Sequence, residues 1–334
     1  MTFEQRMTEF AGLPVAAFPQ DLHFELKRRG LTAEDVAWRI GVDVAWERYG
    51  AGTAASLDEL FDRFLHRIDS ARVRALIFGP NSVEEQDLSE AVDLLTTHAA
   101  RFPALRAVFL GDILREESEV SWIYGARLAP VLAAFPALEI LGARGDFALA
   151  ETAGPDRLAP RFEPVRHENL RSLTLETGGL PSGILGGVLA SDLPNLEHLE
   201  LYLGAPHYGG DAGVADLAGL LAGGLFPNLR SLGLKDSVLQ DEIAAALADA
   251  PLLARLEALD LSLGVLGDTG AAALLAGQSL AHLRKLDLRH HYLGDQSMAR
   301  LRAALPGVQL DLSEQQQDER TARGHSGRYI AVSE

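Results

Sequence analysis

The chain contains no cysteine, so neither disulfide crosslinks nor thiolate chemistry can operate in it. It has no run of eighteen apolar residues, and nothing in it is long enough to span a bilayer. Its first residues, Met1 to Phe10, lack the basic segment and apolar core of a secretory signal. Positive charge is scarce. Thirty Lys and Arg stand against 47 Asp and Glu, a net charge of -17, and lysine occurs only as Lys27, Lys235 and Lys285. Phosphate-rich partners and anionic membrane surfaces are therefore disfavoured over most of the molecule. No G-x-S-x-G, Walker or H-E-x-x-H motif is present. A cytoplasmic protein is expected, and its arginine- and alanine-rich composition points to a GC-rich bacterial genome.

What is abundant is leucine, in a fixed phrase. Leu170/Leu173/Leu175 recurs as Leu196/Leu199/Leu201, Leu229/Leu232/Leu234, Leu256/Leu259/Leu261 and Leu283/Leu286/Leu288. Weaker copies stand at Val73/Leu76/Phe78, Leu105/Val108/Leu110 and Leu138/Leu141/Ala143. The spacings between the clear copies are 26, 33, 27 and 27 residues. A period of this size holds one strand, one turn and one short helix, and such units bury their apolar faces only by stacking. Within a unit the pattern changes as that requires. Leu259 and Leu261 alternate with Asp260 and Ser262, then the helical spacing of Ala271 to Leu275 follows, with Asp268 read as its N-cap and Gly277 as its stop. Ser56 to Glu59 and Ser82 to Glu85 read as capping boxes that open earlier helices. The expected fold is an α/β solenoid bent into a horseshoe, parallel strands on the concave face and helices on the convex face. Its expected divisions are an N-terminal capping segment at 1–35, the solenoid at 36–312 and a polar tail at 313–334 whose apolar end, 328–332, could dock on the last repeat. A length of 334 residues would otherwise suggest two domains, but an array grows in one dimension around one core.

The phrase Leu-x-x-Leu-x-Leu-x-x-(polar)-x-Leu before a helix, best seen in Leu229 to Leu239, Leu256 to Leu266 and Leu283 to Leu293, resembles the ribonuclease-inhibitor type of leucine-rich repeat. The Asn or Cys usual at the turn is replaced by Ser237, Gly264 and His291, so the turns must close differently. Gly12 to Val15, Phe102 to Asp112, Tyr208 to Asp211, Leu283 to His291 and Arg328 to Val332 are similar to a family of bacterial leucine-rich-repeat proteins of the actinobacterial type. That resemblance covers essentially the whole chain. It implies the fold and a cytoplasmic setting, and no activity.

The outward positions of the strands form three columns: Ser172, His198, Ser231, Ala258 and Lys285; Thr174, Glu200, Gly233, Asp260 and Asp287; Glu176, Tyr202, Lys235, Ser262 and Arg289. Alternation requires polar residues there in any case. Their charged and aromatic members, Glu176, His198, Glu200, Tyr202, Lys235, Asp260, Lys285, Asp287 and Arg289, are nevertheless the candidate binding wall. Two loops extend it as a rim. The first runs from Asp112 to Tyr124, with Glu116, Glu117, Glu119 and Trp122. It exceeds what the repeat needs, although Trp122 could equally cover exposed core. The second carries His207 and Tyr208, and its Asp211 is read as the N-cap of the next helix. His282, Asp287, His290 and His291 lack metal-ligand spacing, and His291 is better read as a hydrogen-bonding stand-in for the turn Asn. Gly50 to Ala55 matches a dinucleotide-loop pattern only loosely.

The reading is a non-catalytic scaffold without cofactor or metal, which binds a protein partner of basic surface through the concave wall and one rim. One alternative is an accessory subunit that presents a peptide or other substrate to a separate enzyme. The other is a metal-dependent hydrolase using rim carboxylates.

Overall fold

The structure is a computed structural model that describes residues 5–18, 30–42, 55–82, 86–147, 162–318 and 327–332. Its strands are β1 (Glu9–Phe10), β2 (Leu13–Phe18), β3 (Ala37–Ile40), β4 (Ala75–Phe78), β5 (Gln86–Asp87), β6 (Ala107–Leu110), β7 (Ile123–Tyr124), β8 (Ile140–Arg144), β9 (Ser172–Glu176), β10 (His198–Gly204), β11 (Ser231–Ser237), β12 (Ala258–Asp260), β13 (Lys285–Asp287) and β14 (Gln309–Asp311). The helices are α1 (Leu57–Arg67), α2 (Leu88–Thr97), α3 (Ala129–Ala134), α4 (Ser182–Leu189), α5 (Ala218–Leu221), α6 (Gln240–Ala248), α7 (Asp268–Ala276) and α8 (Asp295–Ala304). One 12-stranded sheet runs in chain order from β1 to β14, with β5 and β7 forming a small second sheet. Every pairing in the large sheet is parallel except the β1–β2 hairpin. Strand follows helix follows strand, each strand pairing with the next: a leucine-rich-repeat solenoid. Residues 13–18, read from the sequence as part of an irregular cap, already form its first parallel rung.

The leucine phrase fixes the register. Leu173, Leu199, Leu232, Leu259, Leu286 and Leu310 stand opposite one another in successive strands. All but Leu310 are buried, and each packs into one continuous core beneath the helices. The weaker N-terminal copies keep the same register, Trp38 opposite Leu76 and Leu76 opposite Val108. There the concave face is apolar as well: Ala37, Ala75, Ile77, Ala107 and Phe109 form a second cluster with Met7, flanked by Phe10 and Leu13. Phe10 meets Phe109 edge to face at 6.2 Å. Met7 and Phe10, just before the first parallel rung, thus pack on the concave side of the first repeats, and strands covered on both faces read as continuous apolar runs such as Ala75-Leu-Ile-Phe78.

Two ladders outside the leucine phrase tie repeat to repeat. The residue before each first leucine reaches back to a carbonyl of the preceding repeat. Asn169, Asn195 and Asn228 donate to Pro136, Glu168 and Pro194 at 2.9, 2.7 and 3.0 Å. Arg255 donates to Leu225 at 2.6 Å, and His282 bonds Leu253 at 2.9 Å. At the helix N-termini the caps come from the neighbouring unit. Asp241 accepts from Gly267 and Gly270 at 2.7 and 3.0 Å and so caps α7, and Asp268 accepts from Gly294 at 2.9 Å before α8. Asp268 is therefore not the N-cap of its own helix, which is Gly267. Asp211 likewise accepts from Ser182 at 2.5 Å at the start of α4 and does not cap the segment that follows it. Helices stacked side by side bring orphan N–H groups of one unit within reach of the next. Ser56 caps α1 as the sequence indicates, accepting from Glu59. Residues 83–85 of the second proposed box lie outside the described residues, and α2 is capped by Asp87.

The unusual turn residues close the turns in different ways. Ser237 accepts from Leu239 at 3.0 Å. Gly264 carries no side chain because the Gln240 carboxamide fills the place of its Cβ. That buried carboxamide bonds Ser237 N and Leu234 O at 3.3 and 2.9 Å. His291 accepts from Leu293 at 3.1 Å through Nδ1 and donates to Leu312 at 3.2 Å through Nε2. Burial holds the pKa values of His290 and His291 below the ordinary histidine value of 6.5. Both rings therefore stay neutral in the fold at a pH where the unfolded chain takes up protons. Their contribution is complete above about pH 6.5 and is lost as pH falls through that value toward the depressed folded one. The melting temperature should fall between about pH 7 and pH 5.5, and His291→Asn should flatten that slope. An unchanged slope would assign the loss to other groups.

Candidate functional site

The three outward columns stand in register, Ser172/His198/Ser231/Ala258/Lys285 and Thr174/Glu200/Gly233/Asp260/Asp287 among them. They do not form one open charged wall. Along the edge where the strands end, the charges pair with each other. Arg39 meets Asp112 at 2.7 Å, and Arg144 meets Glu176 at 2.7 Å. Lys235 lies 2.8 Å from Glu200 and 3.4 Å from Asp260. Asp287 is 3.1 Å from Lys285 and 4.0 Å from Arg289. Of the residues expected on the wall, Glu176, Tyr202, Lys235 and Asp287 are buried. A glycine makes one of these pairings possible. A Cβ on Gly233 would stand 3.0 Å from the Glu200 Cγ and 3.3 Å from the Lys235 Cδ. Its absence lets the lysine stem cross between the two acids.

Burial reshapes the chemistry of this edge. It pushes the Tyr202 phenol well above its ordinary range, helped by the nearby Glu176 charge. Burial by itself favours the neutral form of Lys235. Tyr202, Glu200 and Asp260 outweigh it and hold the ammonium charged, above the ordinary lysine range. The ammonium also sits 3.1 Å from the Tyr202 hydroxyl and 4.7 Å from that ring's centre. Beside it, burial raises the Asp236 carboxyl well above the usual carboxylate range. Asp236 takes a left-handed backbone, φ 54°, at the turn that ends β11.

Two segments cover this edge. Val120 of the Asp112–Tyr124 loop and Val332 of the C-terminal segment pack with Tyr202 and Leu263 in one small apolar cluster. The loop is therefore partly structural. Asp112, Ile113, Val120 and Ile123 are buried, and Ile123–Tyr124 pairs with Gln86–Asp87. Asp112 is not a rim contact, because its carboxylate is the partner of Arg39. Glu117 binds Arg6 and accepts from Leu114 at 2.9 Å, which shapes the loop. Glu116 is exposed and Glu119 half-buried. Trp122 does not cover core: it is 68% exposed, a large apolar side chain held out at the rim. In the second rim loop His207 is exposed, its ring tilted against that of the half-buried Tyr208 with centroids 4.1 Å apart.

What remains open lies toward the strand starts: a shallow hollow of about 290 Å³ lined by Ser172, Thr174, His198, Glu200, Ser231 and Lys285. A larger hollow of about 970 Å³ stands beside α4, between Phe162, Pro181, Ile184 and Asp211. Its lining includes Phe147 and Phe162. Among the described residues no group of three or more His, Cys, Asp or Glu is placed to hold a metal ion. His282 bonds Ser279 O and Leu253 O before β13, at the opposite end of the strand from His290 and His291. Residues 50–54 of the loose glycine pattern are outside the described residues. No described helix is long and apolar enough to cross a membrane.

Sequence reasoning missed Arg39, Arg144 and Asp236. The first two were within reach, since extending the outward columns into the weak N-terminal repeats places Arg144 beside Glu176. Asp236 had no such signal, because its role depends on a segment some hundred residues later in the chain.

Residues 255–275 match the leucine-rich repeat family. A solved protein of Bacteroides fragilis is similar over 89% of this chain and 82% of its own, with 30% identity and a TM-score of 0.73. LegL7, a leucine-rich-repeat-containing protein of Legionella pneumophila, aligns over 94% of this chain and 92% of its own at 19% identity and a TM-score of 0.48. No curated protein matches the sequence.

Proposed function

Since this chain belongs to the leucine-rich-repeat proteins, we propose that it is a non-catalytic, cytoplasmic scaffold that binds a protein partner at the rim beside Trp122 and across the open hollow of its concave face. The exposure of Trp122 carries this reading. A large aromatic stands 68% exposed on a loop whose neighbours Val120 and Ile123 anchor it by burial, and Trp is among the residues enriched at binding hot spots. The stacked strands beneath it cost little entropy to order on binding. The net charge of -17 favours a partner of basic surface, and His198, Glu200 and Lys285 supply polar contacts in the hollow. The internal pairing of Glu176, Lys235 and Asp287 argues against their use as free contacts, and it weakens the hydrolase alternative, because paired buried acids are poorly placed to exchange protons with a substrate.

Trp122→Ala should leave the melting curve within roughly 0.5 kcal/mol of the native one, as for other surface changes. Capture of the partner from the native host should fall by about tenfold or more and should weaken with added salt. A large melting shift with intact capture would return Trp122 to the core and remove this loop from the site.

A further inference from the structure

The C-terminal segment is seated on the concave edge in the manner of a bound peptide. Ile330 and Val332 are buried while Tyr329 and Ala331 face outward. Its main chain is held at Tyr329, Ala331 and Val332. Ala331 N donates to Leu263 O at 2.8 Å, and Val332 N donates to the Asp236 Oδ1 at 2.8 Å. The Tyr292 hydroxyl accepts from Tyr329 N at 3.0 Å and donates to Tyr329 O at 3.1 Å. Alternate side chains in pockets, with affinity from backbone groups, is how sheet edges recognise extended peptides. None of these hydrogen bonds depends on which side chains the guest carries.

The seat belongs to the solenoid and not to the guest. Asp236, Leu263 and His290 occupy successive turns, 27 residues apart, all with left-handed backbone, φ 54°, 71° and 54°. Asp236 N is fixed by Ser262 O, Leu263 N by Arg289 O and Tyr292 N by Leu266 O, at 2.9, 3.0 and 2.7 Å. The shelf is thus built by bonds between repeats. The guest is also an imperfect fit. Asp236 is buried, and its Oδ2 has no hydrogen-bond partner among the described residues. The shelf therefore presents a buried carboxyl oxygen that this segment leaves unpaired, and an occupant with a polar group there would sit better. The segment is clipped in cis outside the seat. Asp318 accepts from Gly327 N at 3.1 Å and pairs with Arg328 at 3.2 Å, and the Arg328 guanidinium lies 5.3 Å from the Tyr292 ring centre. Such tethering gives a weak ligand a high effective concentration.

We infer that the shelf at the ends of β11, β12 and β13 is a docking site for an extended peptide of a partner protein, one with aliphatic side chains two residues apart, and that the chain's own Tyr329–Val332 holds this site as a displaceable occupant. The inference rests on the scaffold reading but not on Trp122. It adds a second, self-masked contact to the rim, so that a partner gains access only by out-competing the tail.

The test uses the full chain carrying Ile330→Ser and Val332→Ser together, titrated with a fluorescent peptide of residues 327–334. The peptide should bind saturably, about tenfold or more tighter to the variant than to the native chain, where the tethered tail competes. Binding should vanish for a peptide with serine at the two aliphatic positions, and for one methylated at the amide nitrogens of Ala331 and Val332. A folded variant that fails to bind, or equal binding by variant and native chain, overturns the inference. Should the variant not fold, amide exchange on the native chain decides. Exchange of the Ala331 and Val332 amides about a hundredfold faster than that of Leu232 means local release and supports a displaceable tail. Exchange only with global unfolding makes the tail a permanent part of the core and overturns it. A peptide that binds while Trp122→Ala leaves partner capture intact would remove the Trp122 rim and leave this site standing.

Discussion

Arg144→Ala should destabilise the fold by about 3–5 kcal/mol, the cost of stripping one partner from a buried ion pair. The Arg144 and Glu176 side chains are 2% and 5% exposed and meet at 2.7 Å. The guanidinium also donates to Ile113 O at 3.0 Å and lies 5.7 Å from the Phe109 ring centre. It therefore joins β8, β9, the Asp112–Tyr124 loop and the apolar cover of the first repeats. Removing it leaves the Glu176 carboxylate buried without its cation, far from water that could replace it. Glu176→Gln should also lose stability, although less, since an amide keeps part of the hydrogen bonding. The double change to Arg144→Met and Glu176→Met should cost less than the two single changes together, because neither charge is then stranded. Urea melts of the four proteins measure this directly. A loss of under about 0.5 kcal/mol for Arg144→Ala, the size of a surface change, would mean the pair is open to solvent and belongs to the binding wall after all.

Leu259→Ala should cost about 2–5 kcal/mol, as other large-to-small changes in packed cores do. Leu259 is 1% exposed and stands in register between Leu232 and Leu286. The cavity would open inside a one-dimensional stack, where each unit relies on its neighbours for its core. Its neighbour Asp260 points the other way, and the sequence pattern alone treats it as a surface residue of negligible weight. The structure revises that. Its carboxylate accepts from Ser262 N at 2.9 Å and lies 3.4 Å from the Lys235 ammonium. Asp260→Ala should therefore cost about 1 kcal/mol, the net value of an ordinary hydrogen bond, because the carboxylate is partly open to solvent. Guanidinium melts of both variants would settle the inside and outside of the strand, and equal losses would overturn the assignment.

Much of this was open to reading without coordinates. Inside and outside along β9 to β13, the parallel order, the substitution of His291 for the usual turn residue and the stop of α7 at Gly277 all follow from local spacing. The failures share one cause. Asp268 and Asp211 look like caps of the helices beside them in sequence, but they cap helices beside them in space. Glu176, Lys235 and Asp287 sit at outward positions, and outward was taken to mean exposed. Asp112 was counted with the loop that it opens, although its partner Arg39 lies two rungs away.

The repeat determined the architecture by itself, because a strand of period two joined to a helix of period 3.6, copied at a steady interval, has one way to bury its leucines. It determined which side chains face the core and which face the hollow. It could not determine how much of the hollow stays open. That was decided by the two chain ends and one loop. Met7 and Phe10 cover the apolar first repeats, and Val120 and Val332 close over Tyr202 and Leu263. These contacts join residues up to two hundred positions apart, and no periodicity connects them. Whether Lys235 meets a partner or an internal acid depends on what lies above it, and only the tertiary structure places anything there.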